Sequence, residues 1–387
     1  MIKILLLIDN SSDFSRHLLK GLIQYSKKNG PWIFHRLPPY YKALYGNEGI
    51  IQWAKEWKAD AIIAQWDHDE TDLLEKLGIP IILQNYKDRS SYFSNLTGNY
   101  IATGEMAARY FINKRFKNFA FYGNIGVVWS RERAEGFRRE VEKIGANFYY
   151  FETKNLSEVQ WSKSHIELDE WLISLPKPIA LFACDDSFAL QVSELCKINS
   201  INIPNEIALL GVDNDELLCN LSDPPISSIV LDLVKGGYET GRLIHQLIIK
   251  EKNNPFNIVI NPIRIERRLS TEKYDIGNKY ILEIVKYIED NYTSEISIES
   301  LTHLVPLSRR NLEIKFKNEL GKSIYQFILN SRVEQLAFLL LTTNRPLFDL
   351  AFEVGLNDSK NVSRIFKKYK SHTPIEYRTK FKTFYLK

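Results

Sequence analysis

At 387 residues, with 44% hydrophobic and 25% charged residues, the chain has the composition of globular protein and room for two or three domains. Its three cysteines, Cys184, Cys196 and Cys219, show no paired or metal-ligand spacing, which argues against a disulfide scaffold or a zinc module and makes a reducing cytoplasm the default expectation. The net charge of +4 is unevenly placed: from Asn278 onward 18 Lys and Arg stand against 12 Asp and Glu, whereas the preceding part holds 33 against 35. A nearly neutral front and a basic tail fit a sensor joined to a nucleic-acid binder.

In chain order, Met1–Ile8 reads as a buried parallel strand rather than a signal peptide. Phe14–Tyr25 carries apolar positions at helical spacing, Trp32–His35 is a short strand, Ile51–Trp57 a helix and Ala61–Ala64 a strand. A helix around Leu73 and Leu74 and a strand Ile79–Leu83 follow. The pattern then restarts. Tyr100–Phe111, Arg131–Ile144, Trp161–Ser174 and Phe188–Ile198 read as helices. They alternate with strands Asn118–Tyr122, Phe148–Phe151, Pro178–Ala183 and Glu206–Val212. Short apolar strands alternating with amphipathic helices predict open parallel sheets, so the fold class is α/β, with two lobes and a cleft at the strand C-termini. A helix Gly236–Ile249 is expected to return the chain between lobes. Residues 1–270 are assigned to this domain, 271–278 to a linker and 279–387 to a second, all-α domain.

The all-α part repeats one apolar rhythm. Leu301, Val305, Leu307 and Phe316 answer to Leu350, Val354, Leu356 and Phe366. Each copy is a short helix, a turn and a second helix with a basic outer face, the pattern of a helix-turn-helix present twice, at about 297–318 and 346–369. Pro306 marks the first turn and Ser308 caps the helix after it; Gly355 marks the second turn, with Asp358 or Ser359 as cap. The free faces carry Ser308, Arg309, Arg310, Asn311 and Lys315, then Ser359, Lys360, Asn361, Arg364 and Lys367. A basic, polar helix face of this kind can enter a major groove and read base edges. A plain helical bundle with solvated charges is the alternative for one copy; two copies, both ending in Phe-Lys, weigh against it.

These residues resemble the AraC/XylS-type DNA-binding domain over about a hundred positions. The resemblance rests on Leu307–Lys317, Gly321–Ser323, Arg332–Ala337, Leu350–Ala351, Val354–Leu356, Arg364–Lys368 and Thr373–Arg378. Leu356, Val362 and Ser371 depart from the family, which usually carries Phe, Phe and Gly there. The first two keep an apolar position, and Ser371 is strained if its turn needs a positive φ.

The front part resembles the LacI-type sugar-binding regulators through Trp129–Phe137, Phe182–Asp186, Ile203-Pro204, Leu210–Asp213 and the ending Glu266–Arg268. The N-terminal helix-turn-helix usual in that family has no counterpart here. A neutral sugar needs carboxylates and amides at the rim, a forked Arg donor and an aromatic ring to stack on. The resemblance implies that Arg133, Asp185 and Asp213 are ligands. Phe14 and Trp66 are stacking candidates, and Asp67 and Asn99 further polar partners. Each has an ordinary alternative. Arg133 could pair with Glu132 or Glu135 on a helix surface, and Asp213 could cap or pair. Phe14 and Trp66 could be core, and Asp186 is preferred over Asp185 as the cap of the helix that follows. Gly98, before Asn99, replaces an Asp common in the relatives.

No phosphate loop, zinc-binding His-Glu-x-x-His or Gly-x-Ser-x-Gly elbow occurs, and the adjacent Asp185 and Asp186 are poorly placed as an acid/base pair, so no enzyme, cofactor or metal is expected. The combined resemblance implies a sugar-responsive, sequence-specific transcriptional activator, with D-xylose or a related pentose as effector. Operator DNA, RNA polymerase and a second copy of the chain are the expected partners, with no membrane. The alternatives are another small ligand in the same cleft, or a constitutive DNA-binding dimer whose front domain senses nothing.

Overall fold

The computed structural model describes residues 1–387 except 9–11, 38, 67–70, 85–87, 154–157, 250–255, 274–275, 344, 357–358 and 382–387. The chain divides into two compact units, residues 1–110 with 117–273, and residues 111–116 with 274–387.

The first unit begins with β1 (Ile2–Leu7), α1 (Asp13–Asn29), β2 (Trp32–Arg36), α2 (Pro39–Trp57, broken at Gly46), β3 (Ala61–Ala64), α3 (Thr71–Glu75), β4 (Ile81–Gln84) and β5 (Ser94–Gly98). It continues through α4 (Tyr100–Asn113), β6 (Asn118–Asn124), α5 (Val128–Lys143), β7 (Asn147–Thr153), α6 (Glu158–Ser174), β8 (Ile179–Ala183), α7 (Asp186–Ile198) and β9 (Ile207–Val212). Then come α8 (Glu216–Leu221), β10 (Ser227–Leu231), α9 (Leu233–Ile248), β11 (Asn257–Ile260) and β12 (Pro262–Glu266). Among the described residues these strands form two six-stranded sheets, ordered β11-β5-β4-β3-β1-β2 and β12-β10-β9-β8-β6-β7. All pairings are parallel except β10 with β12.

Each sheet is the floor of one lobe. The central strands are apolar along their whole length because helices cover both faces: β3 and β8 are buried at every position. Leu5, Ile62, Ile81, Leu83 and Leu74 form one core, and Tyr122, Leu181, Leu209, Val192 and Leu172 belong to the other. Burying one such side chain contributes roughly 1.5–3 kcal/mol. Strand β5 (Ser-Asn-Leu-Thr-Gly) is not anticipated from sequence, since polar residues fill it. They are nonetheless buried because they are satisfied: Asn95 Nδ2 donates to Ser90 O and to Asn257 Oδ1, both at 2.8 Å.

The chain passes between lobes three times, at Asn99, Asp232 and Asn261. Helix α9 starts three residues earlier than the expected Gly236 and packs along α1. The three crossings are laced together. Asn99 N–H donates to Ile260 O at 2.7 Å, Asn99 Nδ2 to Asn261 Oδ1 at 3.0 Å, and Asp232 N–H to Asn261 O at 3.0 Å.

The first unit runs past the boundary expected at 270. Ser270 and Thr271, in a 3₁₀ turn, are fully buried. Ser270 Oγ donates to Leu209 O at 2.6 Å, and Tyr110 and Thr271 share a hydroxyl hydrogen bond of 2.8 Å. The start of the expected linker is therefore sensor core.

The second unit contains α10 (Lys279–Asn291), α11 (Ile298–Thr302), α12 (Arg309–Leu320), α13 (Ile324–Thr342), α14 (Leu347–Glu353), α15 (Ser359–Lys370) and α16 (Pro374–Phe381). It has two small cores strung on one helix. Ile324 and Ile328 of α13 join Ile284, Val285, Leu301, Leu312 and Phe316. Val333, Leu336 and Leu340 of the same helix join Leu350, Val354, Leu356, Val362 and Phe366. The repeated apolar rhythm is thus two copies of one packing solution. Ser371 has φ +61°, a left-handed turn of the kind that favours glycine.

Candidate functional site

The sensor site grows from three adjacent strand ends of the second lobe. Helix α5 follows β6 and carries Arg133; Asp185 follows β8; Asp213 follows β9. Arg133 is 2% exposed. Its Nη1 donates to Cys184 O at 2.5 Å and its Nη2 to Asp213 Oδ1 at 3.5 Å, while its Nε is buried with no hydrogen-bond partner. The guanidinium lies between two rings, 5.2 Å from the centroid of Trp129 and 5.6 Å from that of Tyr100. The surface-pair alternative fails: Glu132 is held by Arg89, and Glu135 by Arg138 and Arg139. A buried guanidinium with an unsatisfied N–H is a donor waiting for an acceptor.

Asp185 and Asp186 exchange their expected structural roles. Asp185 caps α7, accepting from Phe188 N–H at 2.9 Å. Asp186 is buried under it, accepting from Ser228 Oγ at 2.6 Å and from Asp215 N–H at 2.7 Å. That pocket exists because residue 211 is glycine: a Cβ there would meet Asp186 Oδ1 at 2.2 Å. Preferring Asp186 as the cap is therefore a correction. The cap belongs to the residue with extended backbone just before the helix, while Asp186 ties β8 to β9 and β10. Asp185 uses one carboxylate oxygen as cap and still stands beside Asp213 and Arg133. Burial, then the neighbouring Asp213 charge, pushes its carboxyl up to about 6. Asp213 is also raised by burial, with Arg133 opposing.

Asp213 and Asn214 both have positive φ, +98° and +55°. Two consecutive non-glycine residues in that region are strained, and their surroundings hold them there. Asn214 N–H donates to Ser228 Oγ, and Arg268 Nη2 donates to Asn214 Oδ1, each at 2.9 Å.

The first lobe reaches across at two places. At the start of α1, Asp13 N–H donates to Asp215 Oδ2 at 3.4 Å and Arg16 lies 4.0 Å from the same carboxylate. At the loop between β4 and β5, Arg89 grips Glu132, and Asp88 accepts from Arg131 at 2.7 Å. The strand C-termini of both sheets therefore face one cleft. The remaining expected ligands divide. Phe14 is half-buried at the first turn of α1. Trp66, 7% exposed, packs in the first-lobe core. Asn99 serves the lobe crossing, its Oδ1 accepting from Ala102 N–H at 3.3 Å. Asp67 lies outside the described residues. Sequence reading missed Tyr100, Trp129, Asp215 and the Asp88-Arg89 pair; Trp129, four residues before Arg133 on one helix, was the available signal, and Tyr100 meets Arg133 only through the fold.

In the second unit, Ser308 caps α12 as expected, accepting from Asn311 N–H at 3.4 Å. Ser308, Arg309, Arg310, Asn311 and Lys315 are all exposed, opposite the buried Leu312 and Phe316. Arg309 is engaged by Glu313 at 3.3 Å and Glu299 at 3.7 Å. On α15, Arg364 and Lys367 are exposed and Asn361 is half-buried, opposite Val362 and Phe366. Ser359 and Lys360 begin that helix; their side chains lie outside the described residues. Both second helices thus present basic outer faces. Among the described residues no His, Cys, Asp or Glu group could hold a metal ion, and no helix is long and apolar enough to cross a membrane.

Two family models match separate parts of the chain. A periplasmic binding protein-like domain matches residues 108–271, and a helix-turn-helix domain matches residues 301–380. The xylose operon regulatory protein of Haemophilus influenzae is 29% identical over 385 residues, covering 97% of this chain and 98% of that protein. The multiple antibiotic resistance protein MarA of Salmonella typhimurium is 33% identical over 98 residues, 25% of this chain and 77% of its own length. A solved structure of the xylose-binding transcription activator xylR aligns with a TM-score of 0.60 at 25% identity, covering 97% of each chain.

Proposed function

Since the chain belongs to the AraC/XylS-type helix-turn-helix regulators that carry a periplasmic-binding-protein-like sensor, we propose that it is a D-xylose-dependent activator of genes for xylose uptake and breakdown. The observation that carries the sugar reading is Arg133: buried, forked, with an unpartnered Nε, beside Asp185 and Asp213. Sugar hydroxyls donate to the two carboxylates and accept from the guanidinium, so one small polyol satisfies all three groups. Xylose is favoured among sugars because relatives that match nearly the whole chain are named for it.

Sugar binding favours the arrangement in which the lobes are joined, and that arrangement sets how the reading helices meet DNA. A second copy of the chain and RNA polymerase are the proposed protein partners, and the cytoplasm the proposed location. Leu217 and Leu221, on one face of α8 and 73% and 66% exposed, suit a contact with the second copy. The test is fluorescence anisotropy with duplexes that the full chain enriches from a random-sequence library, with and without D-xylose. The reading expects xylose to change the affinity by a coupling on the order of 1–3 kcal/mol. An affinity indifferent to xylose and to every other pentose favours instead a front domain that only dimerises.

A further inference from the structure

The two reading helices are held by two separate cores, and a single helix, α13, is common to both. Ile328 of α13 belongs to the first core and Leu329 to the second, so the junction falls there. One turn on stands Arg332. Its Nε donates to Tyr292 O at 2.7 Å and its Nη2 to Ser294 O at 2.8 Å. Those carbonyls end the segment that follows α10, whose Ile281, Ile284, Val285 and Ile288 fill the first core. The same guanidinium also touches the turn of the second helix-turn-helix. Gly355 has φ +79°, and a Cβ built on it would lie 2.7 Å from Thr293 O and 3.0 Å from Arg332 Nε. The second turn therefore packs directly on the Tyr292–Ser294 segment and on the side chain that braces it.

We propose that Arg332, seated under Gly355, is the positioning residue that fixes the spacing and angle between the two reading helices, so that the chain reads its two major-groove segments as one rigid element. Apolar packing couples the two readers only through α13, which both cores share. Two directed hydrogen bonds from a planar guanidinium to two carbonyls of one turn, Tyr292 and Ser294, fix an orientation that apolar contact does not. A rigid pair gains from the second contact only when the DNA segments match its fixed span. The inference rests on the DNA-reading function proposed above.

The test uses the full chain and a random-sequence duplex library. Wild-type protein should enrich two-part sites with one spacing. Arg332→Gln should still bind a duplex carrying one element alone with wild-type affinity, which also reports that it is folded. It should enrich two-part sites with dispersed spacings and lose roughly tenfold or more on the wild-type site. Arg332→Lys keeps the charge but not the fork, and should show the same dispersion; it replaces the Gln variant if that protein loses single-element binding. Variants that enrich the same single spacing with undiminished affinity overturn the role given to Arg332. A wild-type chain that enriches no two-part sequence overturns the DNA reading itself.

Discussion

Arg89 and Glu132 join the two lobes of the sensor by a bidentate ion pair, with Nη2 to Oε2 at 2.7 Å and Nη1 on Oε1. Arg89 Nε also donates to Thr97 Oγ1 at 3.1 Å, so the fork is aimed before it meets its partner. Beside it, Asp88 and Arg131 repeat the contact with the charges exchanged. Glu132 precedes Arg133 on α5, and both guanidiniums lie against Tyr100, at 5.7 Å for Arg89 and 5.6 Å for Arg133. The interlobe tie and Arg133, the proposed ligand residue, are thus mechanically one assembly. Both partners of the Arg89–Glu132 pair are about a third exposed, so solvent screening limits it to about 1 kcal/mol. Arg89→Met and Glu132→Gln should each weaken D-xylose binding a few-fold and raise the ligand-free radius of gyration in solution scattering. A double-mutant cycle should return a coupling of about 1 kcal/mol. Additive single effects would mean that the pair does not act as a tie.

Arg133 cannot be replaced without leaving two carboxylates uncompensated. Arg133→Met should weaken D-xylose binding at least a hundredfold, roughly 3 kcal/mol, by removing the fork and its charge-assisted bonds. Arg133→Lys should recover little, because an ammonium cannot reach Cys184 O and the ligand with one planar group. Calorimetry distinguishes these variants, and near-wild-type affinity in Arg133→Met would remove the residue from the site.

The buried carboxyls make the empty sensor sensitive to pH in a defined sense. Burial and neighbouring charge push Asp185 up to about 6, and burial pushes Asp232, at a lobe crossing, up to about 7. Both exceed the ordinary value near 3.9 for an unfolded chain. Between pH 4 and 7 the folded state therefore holds more protons than the unfolded state, and stability falls as pH rises through that window. The ligand-free protein should melt at a higher temperature at pH 5.5 than at pH 7.5. Asp185→Asn, which keeps the cap on α7, should flatten that difference by on the order of 1–2 kcal/mol and stabilise the empty protein at pH 7.5. A pH-independent melting temperature in the wild type contradicts the assignment.

Much of this arrangement was legible in the chain itself. The α/β alternation, the paired helix-turn-helix and the Ser308 cap follow from local apolar period and capping chemistry, which act within a few residues. Strand β5 was hidden because its polar side chains find their partners outside the strand: Asn95 in Ser90 and in Asn257, 162 residues away, and Thr97 in Arg89. Trp66 was ambiguous because an aromatic after a strand suits a core and a sugar face equally, and its packing with Ile50, Ala54 and Leu74 of α2 and α3 depends on contacts outside its own segment. The roles of Asp185 and Asp186 turn on which residue keeps extended backbone, a difference of one position that sequence cannot resolve. The Arg89–Glu132 tie depends on the meeting of two lobes, and nothing within either segment announces it.

The two reading faces should not contribute equally to DNA affinity. Arg309 is already occupied by Glu299 and Glu313, whereas no ion pair to Arg364 occurs among the described residues. Arg364→Ala should cost roughly 1–3 kcal/mol and relax base preference at one position if it pairs with guanine. Arg309→Ala should cost less, because DNA must first displace two carboxylates, and Glu313→Gln should strengthen binding by releasing Arg309. Anisotropy titrations at one fixed salt concentration decide the order. Equal losses from Arg309→Ala and Arg364→Ala would show that the acidic neighbours do not compete.

The central claim is that a small polyol bound between Arg133, Asp185 and Asp213 is the signal the chain receives. Isothermal titration of the full chain with D-xylose, L-arabinose and D-ribose, repeated on Arg133→Met, tests it most directly. The account predicts saturable heat with D-xylose, weaker heat or none with the other pentoses, and loss of the D-xylose signal in the variant. No heat with any pentose, or an undiminished D-xylose signal in Arg133→Met, would contradict it.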